Sequence, residues 1–368
     1  MAFHDLCYSI ADIYALLEYY ESYSSVFQYV NFVMSIVTCL LGLMENAIVI
    51  FIIGFIMKKH KSKYWFLNLA IADFGALLTL PLHAVAIFKG TWSFGPHMCK
   101  VFLFSVYANM HASVFILLSL NIARVLSVAQ PMFHLKFITR RVSFWICSFI
   151  WCFALLCSLP VFFFAGEFKI GDVMVCSFFS SESFSTVVAV SGYNMSIDNA
   201  TGNIVDSTIS TKFNPFIEKC SSNSCCGGEE ARKHWNYLIF SSKQFVIPYL
   251  IIDYFIPLVI VIICNLTIIA HVKKSKTINI HRLYRIALMV ILVYLVSWTP
   301  MVVADIMFFI AVLNMNLIVM FKILTIMPLM VNIAYTSSCL NPIVYVLSSG
   351  RMRMGLNNFI SSIRNHQN

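Results

Sequence analysis

Seven apolar stretches, each of about 20 residues or more, recur along this chain, and nothing else in it restricts the fold as tightly. A bilayer core about 30 Å thick is crossed by roughly 20 residues of helix, and a helix pairs all its backbone N–H and C=O groups within itself. The cores run 29–57, 64–88, 98–129, 143–165, 245–272, 283–313 and 321–347. Of the 368 residues, 60% are hydrophobic and only 11% charged, too few charges to cover a soluble surface. The expected fold class is an all-α membrane protein, a seven-transmembrane helix bundle.

Loop charge orients the bundle. Lys58, Lys59, Lys61 and Lys63 follow the first stretch, Lys136, Arg140 and Arg141 the third, and Lys273, Lys274, Lys276 and Arg282 the fifth. Arg351, Arg353 and Arg364 follow the seventh, whereas the segment ahead of the first holds Asp5, Asp12, Glu18 and Glu21 and no Lys or Arg. Basic loops stay inside, so the N-terminus is expected outside. This divides the chain into an extracellular tail (1–28), the bundle (29–348) with a long extracellular loop at about 166–244, and a cytoplasmic segment (349–368). That last segment comprises a short amphipathic helix from Ser349 to Ile363 and a short tail. Residues 1–23 have no basic region ahead of an apolar one, so no cleaved signal peptide is expected.

Two glycosylation sequons, at Asn194 and Asn199, fall in the long loop; a third, at Asn265, lies in the fifth stretch and is expected to go unused. Cys7, Cys99, Cys176, Cys220, Cys225 and Cys226 lie on the expected oxidising side. A bond between Cys99 and Cys176 would pin the long loop to the mouth of the third helix; pairing of the other four is open. Cys39, Cys147, Cys152, Cys157, Cys264 and Cys339 read as small apolar residues within helices.

Polar residues at membrane depth should face the bundle. Asp73 sits within "LNLAIADF"; Asn109 and Ser113 share one face of the third helix, and Ser337 and Asn341 share one face of the seventh. A carboxylate ringed by amides and hydroxyls suits a hard cation such as Na+; the alternative is a set of interhelical hydrogen bonds. Pro81, Pro160, Pro257, Pro300 and Pro342 fall within apolar stretches and predict kinks.

"LNLAIAD", Cys99, "NIAR" with Pro131 seven residues beyond Arg124, Trp151, Pro257, "SWTP" and "NPIVY" follow one another in order. Over about residues 42–359 the chain thereby resembles the rhodopsin-like G protein-coupled receptors. "GLMENAIVIFIIGF", "TLP", "TWSFGPHMCK", "NMHASVFILLSL" and "SSCLNPIVY" make it most similar to the leukocyte chemoattractant group: the anaphylatoxin, formyl-peptide and chemerin receptors and a prostaglandin receptor. The resemblance implies a plasma-membrane receptor that takes an extracellular peptide, protein or lipid ligand and engages a heterotrimeric G protein, often inhibitory, on its inner face. Trp298 would be the rotamer switch beneath the ligand, Arg124 the G protein contact, and Pro300, Asn341, Pro342 and Tyr345 parts of the rearranging hinge. Asp73, Asn109, Ser113, Ser337 and Asn341 would hold sodium as an allosteric ion.

The ligand pocket implied by the resemblance comprises His83, Tyr107, Met110, Tyr249, Asp253, Trp298 and Asp305. Val106 stands where amine receptors carry an aspartate, which argues against a monoamine. Tyr249 stands where related receptors present a basic clamp to a ligand carboxylate. Asp253 and Asp305 offer acids in its place, either for a cationic group of a peptide or for pairing with His83, His111 or each other. Tyrosines alternate with glutamates in "LLEYYESY" (16–23), a context for sulfation that would draw a basic protein ligand.

No catalytic constellation, phosphate loop or internal repeat is present, so an enzyme, a nucleic-acid binder and a transporter are not expected. Ala123 replaces the family's acid before the arginine, Val125 the tyrosine after it, and Asn265 a tyrosine of the fifth helix. These departures leave two readings open: a signalling receptor whose arginine is less restrained, or a decoy that clears ligand without coupling. With Ser361 and Ser362 the main phosphate acceptors in the tail, arrestin recruitment is expected to be weak.

Overall fold

The computed structural model describes residues 6–56, 63–170, 173–177, 216–217, 219–220, 224–274, 280–348, 354–357 and 361. Strand β1 (Leu6–Ser9) leads into helix α1 (Ile10–Phe51), followed by α2 (Lys63–Lys89), α3 (Gly95–Ala129), α4 (Pro131–Phe137), α5 (Arg140–Ser158) and α6 (Val161–Phe164). Strands β2 (Gly166–Ile170), β3 (Val173–Ser177), β4 (Lys219–Cys220) and β5 (Ser224–Gly227) precede α7 (Glu229–Tyr249), a π-helical turn (Leu250–Phe255) and α8 (Ile256–Lys274). Helices α9 (Ile280–Leu313) and α10 (Leu317–Ser348) complete the bundle. Among the described residues, seven segments are long and apolar enough to cross a membrane: Val26–Gly54, Tyr64–Lys89, Gly95–Ala129, Arg140–Phe164, Ala231–His271, Leu292–Leu313 and Leu317–Ile343. They are the first to seventh spans below.

The first span packs on the second, the second on the third, the fifth on the sixth and the sixth on the seventh, the seventh closes against the first and second, and the third touches the second, fourth and fifth. Leu40, Phe149, Phe163, Leu266 and Val296 stay exposed on the outside of the bundle. Polar residues turn inward, with Asn46, Asp73, Asn265, Asn332 and Asn341 all buried. This inversion of the soluble pattern is what lipid as a solvent requires. Gly42 lets the first span approach closely: a Cβ there would lie 2.6 Å from Leu77 Cδ1 and 2.9 Å from Cys339 Sγ.

Three prolines release a carbonyl one turn earlier, because proline lacks the N–H that would bond it. Each released carbonyl is met by a side chain from a neighbouring span. For Pro81 the carbonyl is that of Leu77, contacted by Cys39 Sγ at 3.6 Å. For Pro257 it is that of Asp253, taken by the Tyr294 hydroxyl at 2.8 Å. For Pro342 it is that of Ser338, taken by Asn46 Nδ2 at 2.9 Å. Pro160 ends a helix instead, separating α5 from α6.

The segment ahead of the first span differs from a plain tail over residues 1–28. From Ile10 onward it is helix, continuous with the span, and β1 pairs with β5, which in turn pairs with β4. The Cys7–Cys226 disulfide locks β1 to β5, and Cys225 is also in a disulfide. Ile13 and Leu16 then pack with Phe216, Ile217, Trp235, Phe308 and Leu317, forming a roof over one end of the sixth and seventh spans. The Tyr8 hydroxyl donates to Met315 O at 2.8 Å, and burial pushes this phenol up to about 12. Met315 has positive φ in the tight turn between α9 and α10, where Asn316 N bonds back to Ala311 O and Asn316 Oδ1 caps Val319 N. The long loop is likewise shorter than expected at its far side, since α7 begins at Glu229.

A second disulfide, Cys99–Cys176, ties β3 to the start of the third span. The β2–β3 hairpin is held further by Trp92 N to Met174 O (2.7 Å) and Met174 N to Thr91 Oγ1 (3.0 Å). At the opposite end of the bundle, residues 354–357 are helical and Leu356 packs on the cluster formed by Ile52, Ile53, Trp65 and Leu69. The sequons Asn194 and Asn199 lie outside the described residues.

Candidate functional site

The polar centre of the bundle is built on Asp73, which is 1% exposed. Its Oδ1 accepts from Ser113 Oγ (3.0 Å) and Ser338 Oγ (3.2 Å), and its Oδ2 accepts from Asn341 Nδ2 (2.8 Å). The second, third and seventh spans therefore converge on one carboxylate. Two residues expected here do otherwise. Ser337 Oγ donates to Ala334 O of its own helix, and Asn109 Nδ2 to Ser105 O, with Asn109 Oδ1 against Gly75. Ser338, one residue on from the expected serine and three before Asn341 on the same helix face, completes the set.

A cavity of about 30 Å³ lies beside this centre, lined by Ser113, Leu117, Tyr294, Trp298, Ser337 and Asn341. It is large enough for a water and joins the Asp73 cluster to the ring of Trp298. Trp298 packs in turn on the cluster of Val246, Leu250, Tyr254, Tyr294 and Val302, which Tyr249 also joins.

Toward the disulfide-bearing end from Trp298, the fifth span contributes an acid. The π-helical turn adds a residue's rotation ahead of Pro257 and carries Asp253 into the bundle, where it is 3% exposed. Asp253 Oδ1 lies 2.6 Å from His111 Nδ1, and His111 is itself 6% exposed. Asp253 Oδ2 is buried with no hydrogen-bond partner, and so is Asp305 Oδ2 on the sixth span. Tyr107 stands edge-on to both His111 and Tyr249, with ring centres 6.2 and 6.1 Å away, and both phenols lie in the electrostatic field of both acids. Met110, half-buried, lies on the same helix one residue before His111. His83 stands apart, with its Nε2 buried and unpartnered on the second span.

The far end of the third span carries Arg124, half-buried, with Ser127 Oγ donating to its carbonyl. Ala123 and Val125 flank it, also half-buried. Asn265, 2% exposed, donates to Val261 O of its own helix and leaves its Oδ1 unpartnered. Pro300, buried Pro342 and the backbone of Tyr345 lie within helices of the sixth and seventh spans.

A family model described as the seven-transmembrane receptor of the rhodopsin family matches residues 45–202 and 203–345. The chain belongs to this family. As a rhodopsin-family G protein-coupled receptor it is a multi-pass protein of the plasma membrane, takes a ligand from outside and is not an enzyme. The receptor is similar to chemerin-like receptor 2 of Macaca mulatta, 28% identical over 92% of this chain and 81% of that one. It is similar also to chemerin-like receptor 1 of Mus musculus, 26% identical over 84% of this chain and 72% of that one. The C3a anaphylatoxin chemotactic receptor of Rattus norvegicus is 33% identical over 46% of this chain and 38% of its own length.

Several residues of the receptor's site escaped the sequence pattern. Asn31, Ser35 and Asn332 join the first and seventh spans, with Ser35 Oγ donating to Asn332 Oδ1 (2.7 Å) and Asn332 Nδ2 to Asn31 Oδ1 (3.0 Å). Their signal was present, since Asn31 and Ser35 are four apart within an apolar stretch. Tyr294 and the Tyr254–Thr299 hydroxyl pair (2.8 Å) had none, because tyrosine and threonine are ordinary at helix positions facing a core.

Proposed function

We propose that this receptor recognises a chemotactic peptide or protein at its disulfide-bearing end and activates a heterotrimeric G protein, of the inhibitory class, at the other. The observation that carries the reading is the cavity lined at once by Trp298, Ser113 and Asn341, which puts Trp298 in touch with two of the side chains that bond Asp73. A ligand that moves Trp298 would be felt at Asp73 and Asn341 without any further element between them. The chemoattractant character rests on the relatives, whose names refer to chemerin and to the C3a anaphylatoxin. With the basic loops inside, the disulfide-bearing end is extracellular, as is the loop bearing Asn194 and Asn199, which would carry glycans.

Asp73 and its partners fit a sodium ion. The carboxylate is buried with hydroxyl and amide groups and no cationic side chain bonded to it, so a hard monovalent cation would complete its charge. Sodium would then favour the resting receptor, and basal activity would fall as Na+ replaces K+.

A second reading is favoured by Ala123, Val125 and Asn265 together at the Arg124 end: a receptor that binds and internalises ligand without coupling. Nucleotide exchange on a G protein heterotrimer in membranes carrying the receptor, with a panel of complement fragments, chemotactic peptides and prostanoids, separates the two. Exchange driven by a peptide supports the signalling receptor, and uptake with no exchange supports the decoy. A response to prostanoids alone would replace the peptide with a lipid mediator.

A further inference from the structure

The two pocket acids are not equivalent in the structure. Asp253 is half engaged, its Oδ1 on His111 Nδ1, while its Oδ2 is buried and unpartnered. Asp305 makes no hydrogen bond through its buried Oδ2. His111 is the cationic-capable partner on Asp253 Oδ1, and among the described residues neither Asp253 Oδ2 nor Asp305 Oδ2 has a hydrogen-bond donor on it. A buried carboxylate oxygen without a partner costs stability wherever it occurs, and a chain retains one at little benefit unless something else supplies the donor. Two aromatic rings lie near both acids: Tyr107 and Tyr249 stand edge-on to each other within the electrostatic reach of Asp253 and Asp305, and phenol rings attract a cation over their faces.

We propose that Asp305, with the free oxygen of Asp253 behind it and Tyr107 and Tyr249 as flanking walls, binds the cationic side chain of a basic peptide. His111 is a positioning residue here: it occupies the inner oxygen of Asp253, so that a cation entering from the disulfide-bearing end meets Asp305 first and Asp253 Oδ2 second. Tyr249, in place of a basic clamp, leaves the fifth span from Gln244 to Ala270 without a lysine or arginine to repel it. A guanidinium suits the site best, since its planar fork can bond two carboxylates and lie against a ring. The proposal rests on the peptide-receptor reading for its ligand class.

The test uses the full-length receptor purified in detergent, with N-acetyl-arginine amide as the probe and N-acetyl-citrulline amide, which has nearly the same shape but no charge, as its control. The arginine derivative at millimolar concentration is expected to raise Tm by about 2 °C or more and the citrulline derivative to leave it unchanged. Asp305→Asn should fold, since it removes an unpaired charge, and should abolish the rise; Asp305→Glu should restore it in part. An equal rise with citrulline, no rise with either, or a rise that survives Asp305→Asn overturns the assignment. A peptide response in cells that survives Asp305→Asn also overturns it while leaving the peptide-receptor reading intact. If the arginine-specific rise holds but no peptide of the panel drives exchange, the cation site stands and the peptide reading falls.

Discussion

His111 and Asp253 meet at 2.6 Å inside the bundle, and they join the third span to the fifth through two side chains that are both almost completely buried. Asp253 reaches His111 because the backbone widens into a π-helical turn just ahead of Pro257. Removing one partner of a buried pair strands the other, at a cost of about 3–5 kcal/mol. His111→Ala is therefore expected to lower the melting temperature of the purified receptor sharply. Asp253→Asn, which keeps shape and one hydrogen bond, should cost less. The double variant with both replaced by alanine should lose less than the sum, with a coupling of about 1.5 kcal/mol or more.

Ser338 and Ser337 separate two descriptions of the polar centre. Ser338 bonds Asp73, whereas Ser337 bonds its own helix. Ser338→Ala should therefore lose about 1 kcal/mol more than Ser337→Ala in thermal melting. The same comparison in a sodium titration of basal nucleotide exchange should show the larger shift for Ser338→Ala. Equal effects would contradict the geometry.

Tyr294 holds the carbonyl that Pro257 releases, and its hydroxyl also lies 3.4 Å from Tyr254 O. Tyr294→Phe keeps the ring stacked on Tyr254 and leaves that carbonyl buried without a donor. A loss of about 1–3 kcal/mol is expected in thermal melting, and replacing Pro257 with Ala in the same background should recover part of it by restoring the backbone donor.

The roof over the sixth and seventh spans depends on a bond between residues 219 positions apart, Cys7 and Cys226. Replacing both with serine should destabilise the receptor by about 2–4 kcal/mol and raise amide exchange in residues 6–16. Tyr8→Phe, losing the bond to Met315 O, should loosen the same residues by about 1 kcal/mol. Tyr8 also sets a pH dependence. Its neutral form is favoured in the folded state, since the folded value of about 12 lies above the ordinary phenol value. Between about pH 10 and 12 the folded chain holds a proton that the unfolded chain has lost, so this contribution is complete below pH 10 and is lost as pH rises through 12.

The seven spans were legible because each is a single unbroken apolar run, and lipid leaves such a run one regular conformation. The helix from Ile10 was not legible. Residues 10–28 mix acids, serines and aromatics, and Ile13 and Leu16 read as core positions only once Phe216 and Trp235, some 200 residues later, are laid over them. Asp253 and Asp305 stood out in the sequence, and their partners were open between a ligand cation and His111. The π-helical turn decided the matter for one oxygen of Asp253, and no sequence period records such a turn. The choice of Ser338 over Ser337 was open for another reason: both serines lie within one turn of Asn341, three and four residues before it, and spacing alone does not choose between them.

Coupling through Arg124 is the centre of this account, and it stands between Ala123 and Val125 without the acid and tyrosine usual there. The most direct measurement is nucleotide exchange on an inhibitory-class heterotrimer in membranes carrying the receptor, with and without the peptide panel, beside Arg124→Ala at matched surface level. The account predicts exchange above receptor-free membranes, increased by at least one peptide and abolished in Arg124→Ala. Ligand uptake with exchange no higher than in receptor-free membranes would contradict it.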